Sequence, residues 1–200
     1  AAVWRTTASG AVPFVAPPPR AEIDLTPDER EIDPNMVAPP LPSGSIMASV
    51  RSRGGIGLIP SRIAGIGSIW RDRVPRPELA RRIDQIHRPY HLAVARALEA
   101  ARDRFGAAVL LDCHSMPPRG GADGTFQIVF GDRYGTSSDP GLVEAAMAAS
   151  RALGYRTASN APYAGGYVCG RHGRPEKAIH AIQIEIDRSA YLDAELRSPG

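Results

Sequence analysis

Ala107-Ala-Val-Leu-Leu-Asp112 is a short apolar run that ends on a carboxylate, and Gly106 separates it from a long amphipathic pattern upstream. It reads as a buried central strand. From Pro77 onward, Leu79, Ile83, Ile86, Tyr90, Val94, Leu98 and Phe105 recur at three-, four- or seven-residue steps, the spacing of one buried helix face. Pro89 falls inside that pattern and should kink or split the helix, because it lacks an N–H and its ring crowds the carbonyl four residues back. Downstream, Thr125-Phe-Gln-Ile-Val-Phe130 reads as a second strand, Pro140 to Leu153 as a helix closed by Gly154, and Tyr155 to Ala158 as a third strand. Ile182, Ile184 and Ile186 alternate with Gln183, Glu185 and Asp187, which predicts a central strand with one apolar and one acidic-amide face. Ser189 to Leu196 is expected to be a terminal helix. The alternation is βαβ-like and points to an α/β fold, a mixed central sheet flanked by helices, with ligands gathered at strand ends.

The chain has 200 residues, enough for one domain over 1–200 that buries about seventy per cent of its unfolded surface. Residues 1–19 are an irregular, proline-rich lead-in. Proline remains frequent to residue 45, with one short strand expected at Arg20-Ala-Glu-Ile-Asp-Leu25 and a turn at Thr26-Pro-Asp-Glu29. Gly54-Gly-Ile-Gly57 and Gly65-Ile-Gly67 read as loop or irregular strand and match no phosphate-binding pattern. Lys+Arg 24 against Asp+Glu 21 gives a net charge of +3, and the arginines are scattered, so no nucleic-acid partner is expected. The longest apolar runs fall far short of the roughly eighteen residues of a membrane span, so no membrane partner is expected either. Cys113 and Cys169 form no disulfide framework, which favours a reducing compartment and a cytoplasmic location.

Asp112-Cys-His-Ser-Met-Pro117 follows the expected strand directly, and at two-residue spacing Asp112 and His114 point the same way. A carboxylate there orients an imidazole as a metal ligand, tunes it as a base, or satisfies a structural histidine. Glu185 reads as an inward glutamate, either a general base for water attack on a carbonyl or an ion-pair partner of Arg188 or Arg133. Arg133, after the Phe130 strand, suits a carboxylate ligand. Asn160-Ala-Pro-Tyr-Ala-Gly-Gly-Tyr167 is a loop able to bring backbone amides and phenols to a ligand. His87 and His91 have metal-compatible helical spacing but are expected as a surface pair. His180 reads as core and His172 as loop. Ser115 has no GxSxG elbow around it.

Taken in order, Leu111-Asp-Cys-His-Ser-Met-Pro117, Gly131-Asp-Arg133, Asn160–Tyr167 and His180-Ala-Ile-Gln-Ile-Glu-Ile-Asp-Arg188 with Tyr191 resemble the N-formylglutamate amidohydrolase family, as does Pro89-Tyr-His91. The resemblance runs from about Arg20 to Asp193. It implies a zinc carboxypeptidase-like (phosphorylase/hydrolase-like) fold and a Zn2+-dependent amidohydrolase that cleaves the formamide of N-formyl-L-glutamate, in histidine degradation. It further implies His114 as a zinc ligand with Asp112 behind it, and Glu185 as the catalytic carboxylate. Arg133, Asn160, Tyr163 and Arg188 become substrate-binding residues, the substrate a small N-acyl amino acid, and the working unit a monomer or homodimer. Two family features are missing. No Pro-His-Ser-Gly segment with a following acidic residue precedes Arg20, and Asp24-Leu-Thr-Pro27 stands where the family has Asp-Leu-Asn-Arg. Three expectations follow: a metal-dependent amidohydrolase completed by other ligands such as Asp112 or Asp132, a non-catalytic carboxylate-binding relative, or the same chemistry on another N-acyl amino acid.

Overall fold

The computed structural model describes residues 11–16, 18–42, 44–47, 49–63, 66–118 and 126–200, which form two compact units, Ala1–Arg96 and Ala97–Gly200. In the first unit, β1 (Val37–Ala38) pairs in parallel with β4 (Val74–Pro75), and β2 (Arg62–Ile63) pairs antiparallel with β3 (Gly67–Ser68). α1 (Val50–Arg53) is a single turn, and α2 (Arg76–Arg82) leads through a π-turn (Ile83–His87) into α3 (Arg88–Phe105), within which the first unit ends. Ile23, Leu25, Ile32, Val37, Leu58, Ile59, Val74 and Leu79 form the core of this unit. The lead-in has no regular element over its described residues.

No strand forms at Arg20–Leu25. The Glu22 N–H donates to the Pro19 carbonyl at 2.9 Å, and Asp24 makes one cross-chain rung to the Leu58 carbonyl at 2.8 Å. The Asp24 carboxylate then accepts from the Thr26 N–H (3.0 Å) and hydroxyl (2.8 Å), a local turn that competes with a sheet ladder.

Pro89 widens the helix without breaking it. The Arg88 N–H donates to the Ile83 carbonyl five residues back, and this wider turn spares the ring of Pro89 the α-helical clash it would otherwise meet at Gln85. The buried positions are Leu79, Arg82, His87, His91, Val94 and Leu98, so the five-residue step lies across the π-turn. Ile83, Ile86 and Tyr90, expected on the buried face, are half-buried against the core, and Phe105 is exposed. His87 and His91 are therefore not a surface pair. They are 1% and 0% exposed, and their Nε2–H groups donate to the Pro27 carbonyl (3.0 Å) and the Leu25 carbonyl (3.1 Å).

The second unit is built on a four-stranded sheet of order β5-β8-β6-β7, with β5 at Ala108–Met116, β6 at Ile128–Gly131, β7 at Thr157–Ser159 and β8 at Ile179–Asp187. β5 and β8 are parallel over nine register pairs, β6 runs antiparallel to β8, and β6 and β7 are parallel. The sheet is mixed, as expected. α4 (Pro140–Ala152) links β6 to β7. Asp139 caps its N-terminus, Gly154 follows its end at φ +89°, and Val143 and Met147 pack on Ile128, Phe130 and Ile182. β8 is central, as the alternation predicted. β5 is not: in the described sheet it is the edge strand, with Val109 and Leu111 44% and 52% exposed. An apolar run reports strand propensity and says nothing about how many neighbours the strand has. β6 begins at Ile128; Thr125 and Arg119-Gly-Gly121 lie outside the described residues. The expected helix at 189–196 is replaced by a 3-10 turn, Arg188–Ala190, because the Asp187 and Asp193 carboxylates capture backbone N–H groups of Ser189, Arg197 and Ser198. Among the described residues no helix is long and apolar enough to cross a membrane.

Candidate active site

The β5–β8 register sets Asp112 beside Gln183 and His114 beside Glu185, and β6 adds Val129 opposite Glu185 and Gly131 opposite Gln183. Side chains of register partners share a sheet face, so Asp112, His114, Gln183 and Glu185 make one polar patch. Ile182 and Ile184, on the other face, pack with the α4 cluster. β5 continues through Met116, so Asp112 and His114 sit within the strand and not past its end. They meet as expected, with His114 Nε2 3.1 Å from Asp112 Oδ2. A carboxylate at Nε2 favours the tautomer that carries its proton there, leaving the lone pair on Nδ1.

Glu185 and Gln183 are both buried. The Gln183 amide donates from Nε2 to Glu185 Oε1 at 2.8 Å, while its Oε1 accepts the Gly166 N–H at 2.9 Å. Both arginines offered as partners for Glu185 turn elsewhere. Arg133 Nη1 lies 3.4 Å from the Gly166 carbonyl, and Arg188 Nε lies 3.5 Å from Ser115 Oγ.

The loop from Asn160 to Gly166 is pinned to the end of β6. Asn160, at φ +57°, donates from Nδ2 to Asp132 Oδ1 (2.7 Å) and accepts the N–H groups of Asp132 (3.1 Å) and Tyr134 (3.2 Å) on Oδ1. Its amide is thus engaged in shaping the turn that presents Arg133. The Arg133 N–H donates to the Ala164 carbonyl at 2.6 Å. A methyl group on Gly131 would fall 2.5 Å from the Gly165 nitrogen, 2.6 Å from the Ala164 carbonyl carbon and 2.7 Å from the Tyr163 oxygen, so only glycine admits this crossing. Gly165 and Gly170 flank the Arg133 side chain in the same way, a Cβ on either reaching it at 3.2 Å. Tyr163 packs on Met116, Val129 and Ala158 of the patch face.

Three residues of this region went unassigned from sequence. Gln183 was legible as a face-mate of Glu185 at two-residue spacing. Cys169 and His172 lie on a short helix, α5 (Tyr167–His172), where a loop was expected at His172; Gly166 and Gly173 bound it. Burial pushes the His172 imidazole down to about 4, helped by the charges of Arg171 and Arg174 and opposed by Asp112. Burial pushes the Cys169 thiol up to about 12, whereas Cys113 is exposed, its thiol raised by partial burial and by Asp112.

A catalytic zinc takes three protein ligands and one open position. Among the described residues no group of three or more His, Cys, Asp or Glu side chains is placed to hold a metal ion. His114 and Asp112 stand in contact, and the described residues add no further groups that would extend the pair to a zinc site. Asp132, a candidate substitute, has an oxygen held by Asn160.

The model of the N-formylglutamate amidohydrolase family matches residues 1–192. An N-formylglutamate deformylase of Pseudomonas putida is 35% identical over 122 residues, 58% of this chain and 45% of that protein. Another, of Pseudomonas aeruginosa, is 32% identical over 126 residues, 59% of this chain and 46% of that protein. The chain therefore spans under half the length of these curated relatives. The crystal structure of N-formylglutamate amidohydrolase from Ralstonia eutropha JMP134 superposes with a TM-score of 0.82 at 34% identity, over 91% of this chain and 67% of that one. With a mixed sheet that carries the His114 and Glu185 motifs in register and a family match over nearly its whole length, the chain belongs to the N-formylglutamate amidohydrolase family.

Proposed function

We propose that this chain carries hydrolytic machinery for the formamide of N-formyl-L-glutamate or a related N-acyl amino acid, releasing formate and the free amino acid. The observation that carries the reading is the pairing of His114 with Glu185 on adjacent parallel strands, on one face, in a chain of this family. Glu185 takes a proton from the attacking water and passes it to the leaving amine nitrogen, two jobs one carboxylate can share. Burial beside Gln183 shields that carboxylate from bulk water. Arg133 is the cation for a substrate carboxylate, where bidentate guanidinium geometry fits, and Tyr163 contributes a phenol. The substrate-binding role expected of Arg188 does not fit this pocket, because its Nε meets Ser115, which alternates to the sheet face opposite His114. Asn160 serves the same pocket by fixing the turn that carries Arg133. Zinc would be the cofactor of this reading, with His114 as one ligand; the described residues do not complete a three-ligand set around it.

The test is formate release from N-formyl-L-glutamate by purified protein, with and without added zinc, alongside Glu185→Gln. Activity that disappears in the variant supports the reading. Calorimetric binding of glutamate without formate release under either condition would overturn it in favour of a carboxylate-binding relative. A panel of N-acyl amino acids fixes the substrate class.

A further inference from the structure

We infer that Gln183 is a positioning residue whose amide sets the orientation of the Glu185 carboxylate and ties it, through the backbone N–H and carbonyl of Gly166, to Arg133. The catalytic part of this inference rests on the hydrolase reading; the structural part does not.

An amide side chain has one accepting end and one donating end. The Gly166 N–H only donates, so it takes Gln183 Oε1, at 2.9 Å. That choice turns the NH2 group towards Glu185, whose Oε1 accepts from it at 2.8 Å. Flipping the amide would set donor against donor at Gly166 and acceptor against acceptor at Glu185, so one orientation is enforced from both sides. Gly166 extends the chain of contacts, since its carbonyl faces Arg133 Nη1 at 3.4 Å. The Arg133 side chain runs close past Gly165 and Gly170, where an added Cβ would lie 3.2 Å from it. Arg133, Gly166, Gln183 and Glu185 thus follow one another by contact, the two backbone groups of Gly166 being joined through its Cα, from the proposed carboxylate-binding cation to the proposed proton carrier. Gln183 and Glu185 are each 8% exposed, so water competes poorly for either bond.

Two substitutions separate the two bonds. Gln183→Glu is isosteric and keeps an acceptor for Gly166, but when ionised it cannot donate to Glu185. Gln183→Met has similar reach and makes neither bond. Formate release gives kcat and KM, and hydrogen exchange of the Gly166 amide, followed by NMR on the whole protein, reports the link without needing turnover. Gln183→Glu should lower kcat at least about tenfold, with KM changed less than about threefold and Gly166 still protected. Gln183→Met should lower kcat similarly and speed Gly166 exchange about tenfold or more. If the methionine variant does not fold, the isosteric variant carries the kinetic test. Wild-type kcat in Gln183→Glu overturns the positioning role, and unchanged Gly166 exchange in Gln183→Met overturns the link. A wild-type protein that releases no formate refutes the hydrolase reading instead, and the Gly166 measurement still decides whether Gln183 holds the loop.

Discussion

Gly131→Ala is the sharpest test of the loop crossing that builds the site. The added methyl would lie 2.5, 2.6 and 2.7 Å from three backbone atoms of residues 163–165. Ordinary carbon contacts need about 3.5–4.0 Å, so the loop or the end of β6 must move by roughly 1 Å. No rotamer change can relieve backbone atoms. Gly131 is not among the glycines with positive φ, so the penalty is steric and not conformational. Overpacking costs about 1–3 kcal/mol, and contact with three backbone atoms sets the expectation at about 3 kcal/mol. For a chain of this size that is a fall in Tm of about 6–12 °C. Gly166→Ala is the control: at φ −94° its methyl would meet Gln183 Oε1 at an ordinary 3.5 Å, and its cost should stay under about 1 kcal/mol. Thermal unfolding followed by circular dichroism compares both with the parent at one pH. If Gly131→Ala melts within about 2 °C of the parent, no lower than Gly166→Ala, the close crossing is refuted.

Other consequences are open to measurement. His172 is held near 4 when folded and returns to its ordinary value of 6.5 when unfolded, so the unfolded chain binds more protons in between. Its contribution is complete above pH 6.5 and is lost as the pH falls towards 4, by about 3 kcal/mol at most. Denaturant midpoints across that window should fall less steeply for His172→Gln, and an equal slope would count against a buried neutral imidazole. His91→Leu leaves the Leu25 carbonyl without its donor in a fully buried position and should cost about 1–3 kcal/mol, read as a lower urea midpoint at constant m. A thiol reagent at mildly alkaline pH should modify Cys113 in the native protein and spare Cys169 until the chain unfolds; Cys113→Ser should abolish the fast reaction.

What the sequence made legible follows the physics of each signal. Alternation over Ile182 to Asp187 reported a strand with two chemically distinct faces, and β8 is that strand, in the centre of the sheet. The Asp112 and His114 spacing needed only strand geometry, so their meeting was readable as well. The end of α4 was written in Gly154. Edge or centre was not readable for β5, because neighbours are a tertiary property. The strand expected at Arg20–Leu25 was lost to the Asp24 side chain, which satisfies the backbone locally, and the helix expected at 189–196 was lost to Asp187 and Asp193 by the same competition. His87 and His91 stand among solvent-type residues, which suggests a surface pair, and the π-turn that brings them to the buried face leaves no mark in those neighbours. The Gln183 link needed the position of Gly166, which belongs to a loop seventeen residues upstream and leaves no local trace.

The π-turn makes chain length itself a constraint in this helix. Gln85 lies in its exposed part, where side-chain replacement should be mild, yet its presence as a residue is what sets the angular phase of everything after it. Deleting it would remove the residue that widens the turn, set the ring of Pro89 against the preceding turn, and rotate α2 against α3 by about 100°, one residue's worth of helical turn. The imidazoles would then face away from the carbonyls of Leu25 and Pro27 that they now hold. A segment tolerant of substitution at Gln85 is therefore intolerant of shortening there.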